Sequence, residues 1–178
     1  MATNVELADP SLFIGRNYIN GQWLEATSGK RFSVTGLYDV SLLALCQQHA
    51  DIALDPATGA VLGSCPESDI EDVGRAIKSA AAALPLWRTH TNRTRSRILR
   101  RWHDLVFENR DDLARLITLE NGKAKPDAIG EVAFGNSFLE WYSEEAARIY
   151  GDVIPHSAPG FRASVLKEPI GVCGIIVP

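Results

Sequence analysis

The sequence predicts an α/β fold in incomplete form: small β hairpins first, several long helices next, and the first strand of a parallel sheet last. Three observations predict it. β-forming residues alternate with Asn-Gly and Asp-Pro-Ala-Thr-Gly turns as far as Gly63. Apolar residues then recur at three and four, punctuated by caps and breakers, from Ser68 to Tyr150. Finally, Val172-Cys173-Gly174-Ile175-Ile176-Val177 is almost wholly apolar, as a strand covered on both faces of a parallel sheet is.

The hairpins come first. Tyr18-Ile19-Asn20-Gly21-Gln22-Trp23-Leu24 sets Asn-Gly between β-formers, a two-residue hairpin signal. Ser28-Gly29-Lys30 is a second turn before strand-like Arg31-Phe32-Ser33-Val34, and Asp55 to Gly59 is a third before Ala60-Val61-Leu62-Gly63. Ser68-Asp69-Ile70-Glu71 fits a capping box, and Ile70, Val73, Ile77 and Ala81 share the face of the helix behind it. Pro85 marks its exit.

A second helix is predicted from about Thr91 to Phe107, with Ile98, Trp102, Leu105 and Val106 on its buried side. Asn109 can cap a third, which carries Asp111 and Asp112 in its first turn and stops at Gly122. Pro126 suits the first turn of a fourth, running to about Tyr150 and ended by Gly151. Gly130 and Gly135 inside it imply a close backbone approach or a break. Arg162 to Lys167 reads as a strand and Glu168-Pro169-Ile170-Gly171 as a turn. The apolar strand after that turn needs neighbours, and none follow it, so the sequence reads as unfinished.

Composition narrows the function. At 46% hydrophobic and 22% charged, the 178 residues are not disordered and suit one domain or part of a larger one. A net charge of -4 argues against a general nucleic-acid binder. No apolar run reaches the roughly 18 residues of a membrane span. Three cysteines do not make a disulfide scaffold and suit a reducing compartment. Met1 to Pro10 contains Glu6 and Asp9 and no Lys or Arg, unlike a transit or signal peptide. A cytoplasmic protein is expected, with no membrane and no nucleic-acid partner.

No catalytic constellation emerges from the residues alone. Cys173 is the tempting nucleophile, but Val172, Gly174 and Ile175 offer no cation or base to lower its pKa. A buried packing cysteine is the favoured reading. Cys46 and Cys65 have no local activating partner either. His49, His90, His103 and His156 are scattered, so no metal site is expected. Arg93, Arg97 and Arg101 share a helix face, which reads as a solvated surface rather than a phosphate site.

Several stretches together resemble the amino-terminal part of the aldehyde dehydrogenase family, and within it the succinate-semialdehyde branch. They are Tyr18 to Trp23, Asp55 to Gly59, Leu119-Glu120-Asn121-Gly122-Lys123, Ser137 to Glu145, Arg148 to Pro155 and Glu168 to Pro178. Their order and spacing carry the resemblance; no single turn does.

The resemblance implies an incomplete aldehyde-dehydrogenase-like fold. Residues 1–178 would be a partial amino-terminal cofactor-binding domain ending in the first strand of the dinucleotide-binding sheet. Part of the family's oligomerisation hairpin would lie near 150–167, and homo-oligomers are expected. The implied reaction is NAD(P)+-dependent oxidation of succinic semialdehyde, or a related aldehyde, to the acid, as in 4-aminobutyrate degradation. A cysteine thiolate attacks the aldehyde, hydride leaves to the nicotinamide, and a glutamate-activated water cleaves the thioester. The family's oxyanion-holding Asn comes two residues after the position of Pro178. The catalytic cysteine and glutamate lie later still, so no catalytic residue is assigned here.

Ile176, Val177 and Pro178 match the strand end that touches the cofactor, as expected beyond the carboxyl ends of parallel strands. By position, Phe134 falls where the family's long helix lines the substrate tunnel; a core aromatic is the favoured alternative. The cofactor of the whole enzyme would be NAD or NADP, and no tight binding by these residues alone is expected. The chain alone is expected to be inactive. A non-catalytic module that pairs with full-length subunits is the other reading.

One departure from the family stands out. The 19 residues from Gly36 to Leu54 separate Phe32-Ser33-Val34 from the Asp-Pro-Ala-Thr-Gly turn, where the family runs straight on. Deleting them restores RFSVTDPATGAVLG, which suggests a retained intron or a gene-model error. Such an insertion is thermodynamically tolerable, because loop closure cost grows slowly with length.

Overall fold

A computed structural model describes residues 6–32, 53–54 and 61–177. Within them lie four helices: α1 (Ile70–Thr89), α2 (Asn92–Glu108), α3 (Arg110–Asn121) and α4 (Lys125–Glu145). Four two-stranded antiparallel sheets accompany them. They pair β1 (Asn17–Ile19) with β2 (Gln22–Leu24), β3 (Arg31–Phe32) with β6 (Cys65–Pro66), β4 (Ala53–Leu54) with β5 (Val61–Gly63), and β7 (Asp152–Pro155) with β8 (Arg162–Val165). No described helix is long and apolar enough to cross a membrane.

The first hairpin follows its turn chemistry. Asn20 (φ 53°) and Gly21 (φ 74°) both take the left-handed conformation, and Ile19 faces Gln22 across the two-residue turn. That backbone matches the twist of the flanking strands, and Asn-Gly tolerates it best. Tyr18 and Trp23 stack across the pair with ring centroids 4.8 Å apart.

The helix starts are set locally, with two corrections. The capping box of α1 sits one residue later than Ser68: Asp69 accepts from the Glu71 and Asp72 N–H groups, and Asp72 accepts from the Asp69 N–H. Ser68 is otherwise engaged, its hydroxyl accepting from Asn17 Nδ2 at 2.7 Å. Pro85 does not end α1, which continues to Thr89; a proline removes one helical donor, and the flanking turns carry the helix past that loss. Thr91 caps α2 through its Oγ1 (3.2 Å from Thr94 N). Asn109 precedes α3 but spends its amide on the Leu105 carbonyl, leaving no side-chain cap. Gly122 (φ 73°) closes α3 as expected.

α4 is the centre of the helical layer, with α2 and α3 packed on it. Its contact positions are small: Ala128, Asn136 and Ser143 are buried, as is Ala114 of α3. Small residues set a short interaxial distance. α4 starts with Pro126 in its first turn and stops at Glu145, short of Tyr150. Neither a close approach nor a break occurs at Gly130 or Gly135, where an added Cβ would meet nothing. The close approach lies at Gly151, where a Cβ would stand 2.1 Å from the Val165 carbonyl oxygen.

Two further expectations fail for one reason. Ile98, Trp102 and Leu105 are 41–56% exposed rather than buried, and no strand forms over Val172–Val177. Among the described residues no third layer covers α2, and no neighbouring strand offers the last segment its ladder hydrogen bonds. Periodicity identifies an apolar face but not the element that covers it.

Candidate functional site

The most chemically distinctive surface is the aromatic face of α4. Phe134, Phe138 and Trp141 recur at four and three, so they project from one side of the helix. Tyr142 adjoins them. Phe134 is 66% exposed, so it is not the core aromatic that the sequence favoured. Its ring meets Phe138 edge-on, with centroids 5.0 Å apart. Beside this pair is an open groove of about 430 Å³ lined by Ser137, Phe138, Glu140, Trp141, Tyr142 and Glu144. Glu140 on its rim is held by Arg100 of α2 at 3.0 Å. Such a face binds or packs; it holds no nucleophile–base pair.

The cofactor candidates lie elsewhere. Ile176 is fully exposed and Val177 largely so, while Pro178 falls outside the described residues. Cys173 is exposed rather than buried, its Sγ 3.9 Å from the Gly171 carbonyl. Cys65 is half-buried, and burial pushes its thiol pKa up; the charge of Glu120 adds to the rise and Arg31 opposes it. Burial raises Glu120 as well. Neither cysteine has the setting of an activated nucleophile. Cys46 and His49 lie outside the described residues. No cluster of metal ligands occurs among those described.

Three of the five arginines in the α2 run are engaged in ordinary surface pairing. Arg95 donates to the His90 carbonyl (2.9 Å), Arg100 meets Asp104 and Glu140, and Arg101 meets Glu108 (3.3 Å).

Two clamps that the sequence reading missed hold the amino-terminal arm against the helices, and a third ties it to the link between β5 and β6. Asp112 accepts from the Ala8 and Asp9 N–H groups at 3.0 and 2.8 Å. Asp72 accepts from Thr27. Arg31 donates to the Gly15 carbonyl and to both the carbonyl and the hydroxyl of Ser64. The only trace of the first two in the sequence is an acid in a helix first turn, which the dipole already explains.

The sequence pattern of the aldehyde dehydrogenase family matches residues 47–178. The chain belongs to the aldehyde dehydrogenase family. The glutarate-semialdehyde dehydrogenase of Pseudomonas putida is 45% identical to it over 174 residues, 98% of this chain and 32% of that protein. The succinate-semialdehyde dehydrogenase [NADP(+)] of Escherichia coli is 41% identical over the same shares. The crystal structure of succinate-semialdehyde dehydrogenase from Burkholderia pseudomallei superposes with a TM-score of 0.80 at 41% identity, covering 94% of this chain and 31% of that one. The chain therefore spans about a third of the length of the relatives it matches, and its fold is an amino-terminal piece of theirs.

A dinucleotide site is concave and encloses most of its ligand. The described residues do not fit one by themselves. Ile176 and Val177 stand free, and no strand–glycine loop–helix unit among the described residues cradles a pyrophosphate.

Proposed function

We propose that this chain is the amino-terminal part of a cytoplasmic, NAD(P)+-dependent dehydrogenase that oxidises succinic semialdehyde, or a closely related semialdehyde, to the acid. One observation carries this reading: semialdehyde dehydrogenases match almost the whole chain at 41–45% identity. In the whole enzyme, Ile176, Val177 and Pro178 form one edge of the cofactor site, and Phe134 lines the approach to the substrate. The reacting cysteine and the general base come from the remaining part of the fold.

The experiment joins residues 1–178 to the remaining two thirds of the Escherichia coli relative. The chimera is expected to form NAD(P)H with succinic or glutaric semialdehyde, and the chain alone to form none. A folded chimera inactive with both aldehydes would contradict the reading.

The β7–β8 ribbon supports a second reading, a module that pairs with full-length subunits. It is a lone two-stranded sheet whose Val153 is 72% exposed, and open strand edges invite further pairing. Co-purification with an intact relative supports it; a lone monomer in the same mixture counts against it.

A further inference from the structure

The strand pairs on either side of residues 33–52 keep a common register, as if part of the intervening chain were surplus. β3 and β6 pair Arg31 with Pro66 and Phe32 with Cys65. β4 and β5, a separate two-stranded sheet, pair Ala53 with Gly63 and Leu54 with Val61, with a bulge between the two pairs. From Cys65 to Gly63 is a step of two residues; from Phe32 to Ala53, on the opposite side, it is 21. The excess at this pair is 19, the length of the segment 36–54 that interrupts the family pattern; past the bulge, at Leu54 and Val61, it is 18. Two residues beyond Phe32 stands Val34, so without those 19 residues Val34 would meet Gly63 in the register that Ala53 now occupies.

The partner side of this ladder is held independently of the surplus. Arg31 grips Ser64 through Nε to Oγ and through a terminal nitrogen to the carbonyl, both at 2.7 Å. Gly63 lies against the Phe13 ring, which an added Cβ would meet at 2.8 Å. Both contacts come from residues before the insertion.

We propose that residues 36–54 are a removable insertion, the translation of an unspliced intron, and that the shorter chain seats Val34-Thr35 where Ala53-Leu54 now pair. The genetic code permits this at one phase. Gly36 is encoded GGN and Asp55 GAY. Cutting each codon after its first base joins G to AY and rebuilds an aspartate codon. The piece removed then begins GT if Gly36 is GGT, and ends AG if the Leu54 codon ends in A. Ala50-Asp51 can spell CTGAY, a branch-point sequence, shortly before that end. Nineteen codons leave, the reading frame is kept, and Val34-Thr35-Asp-Pro-Ala-Thr-Gly results.

Sequencing the mature message across codons 31 to 66 tests the proposal. The expected product lacks 19 codons and carries one aspartate codon at the junction; mature messages that all retain them overturn it. A protein-level test uses deletions in the full chain. A deletion of 36–54 is expected to keep the thermal unfolding midpoint of the parent or raise it. A deletion that also removes Ser33 brings Val34 one position short of Gly63 and slips the strand by one residue, and is expected to unfold at a lower midpoint than the first. The opposite order overturns the register argument, and the transcript decides the origin even if neither deletion folds.

Discussion

The Asp72 carboxylate accepts both the Thr27 N–H (3.0 Å) and the Thr27 hydroxyl (2.7 Å), tying the amino-terminal arm to the first turn of α1. The hydroxyl hydrogen bond is the largest influence holding the Asp72 pKa below its ordinary value; burial opposes it, and the Thr27 and Asp69 N–H groups and Arg75 reinforce it. A carboxyl with a lower pKa folded than unfolded contributes stability above its unfolded value, here 3.8. That contribution is lost as pH falls through the folded value. Acid titration of the unfolding midpoint should therefore show a decline below about pH 4 that is shallower in Thr27→Ala. Superimposable pH profiles for the two proteins would refute this.

Asp112 anchors Ala8 and Asp9 in the same manner from α3. Hydrogen bonds to a charged group contribute about 1.5–3 kcal/mol each, net of competition from water. Asp112→Ala is expected to cost about 2–3 kcal/mol in urea unfolding, and Asp112→Asn less, because one acceptor oxygen remains. Equal losses would show that the carboxylate is not the anchor.

Ala128 is wholly buried on α4, the helix on which α2 and α3 pack. A leucine there has no room, and overpacking costs about 1–3 kcal/mol. Ala128→Leu should lower the unfolding midpoint, whereas Gly135→Ala, with nothing near its Cβ, should hold or raise it.

The two described cysteines should differ in reactivity. Cys173 is exposed, while Cys65 is half-buried with its thiol pKa raised by burial. In a Cys46→Ser background, a thiol reagent near neutral pH should label Cys173 well before Cys65. Mass spectrometry of early digests checks the order.

These contrasts show what was legible in the sequence. The Asn20-Gly21 turn, the start of α2 near Thr91 and the Gly122 stop are readable because each depends on a few adjacent residues. The α1 box was misplaced by one residue because a distant group, Asn17, claims the Ser68 hydroxyl. Ile98, Trp102 and Phe134 carry apolar periodicity, yet their exposure depends on non-local partners that no local pattern encodes. Cys173 was expected to be buried for the same reason. The site followed family resemblance rather than composition, since no residue near Phe134 or Ile176 announces chemistry by itself.

We propose that residues 172–177 become a sheet strand once the rest of the fold supplies its neighbours. Amide hydrogen exchange of that segment, in the chain alone and in the chimera with the remaining two thirds of the Escherichia coli relative, tests this most directly. Exchange close to the unfolded rate in the chain and strong protection in the chimera is the expected result. Protection already present in the chain alone, or none in an active chimera, would contradict it.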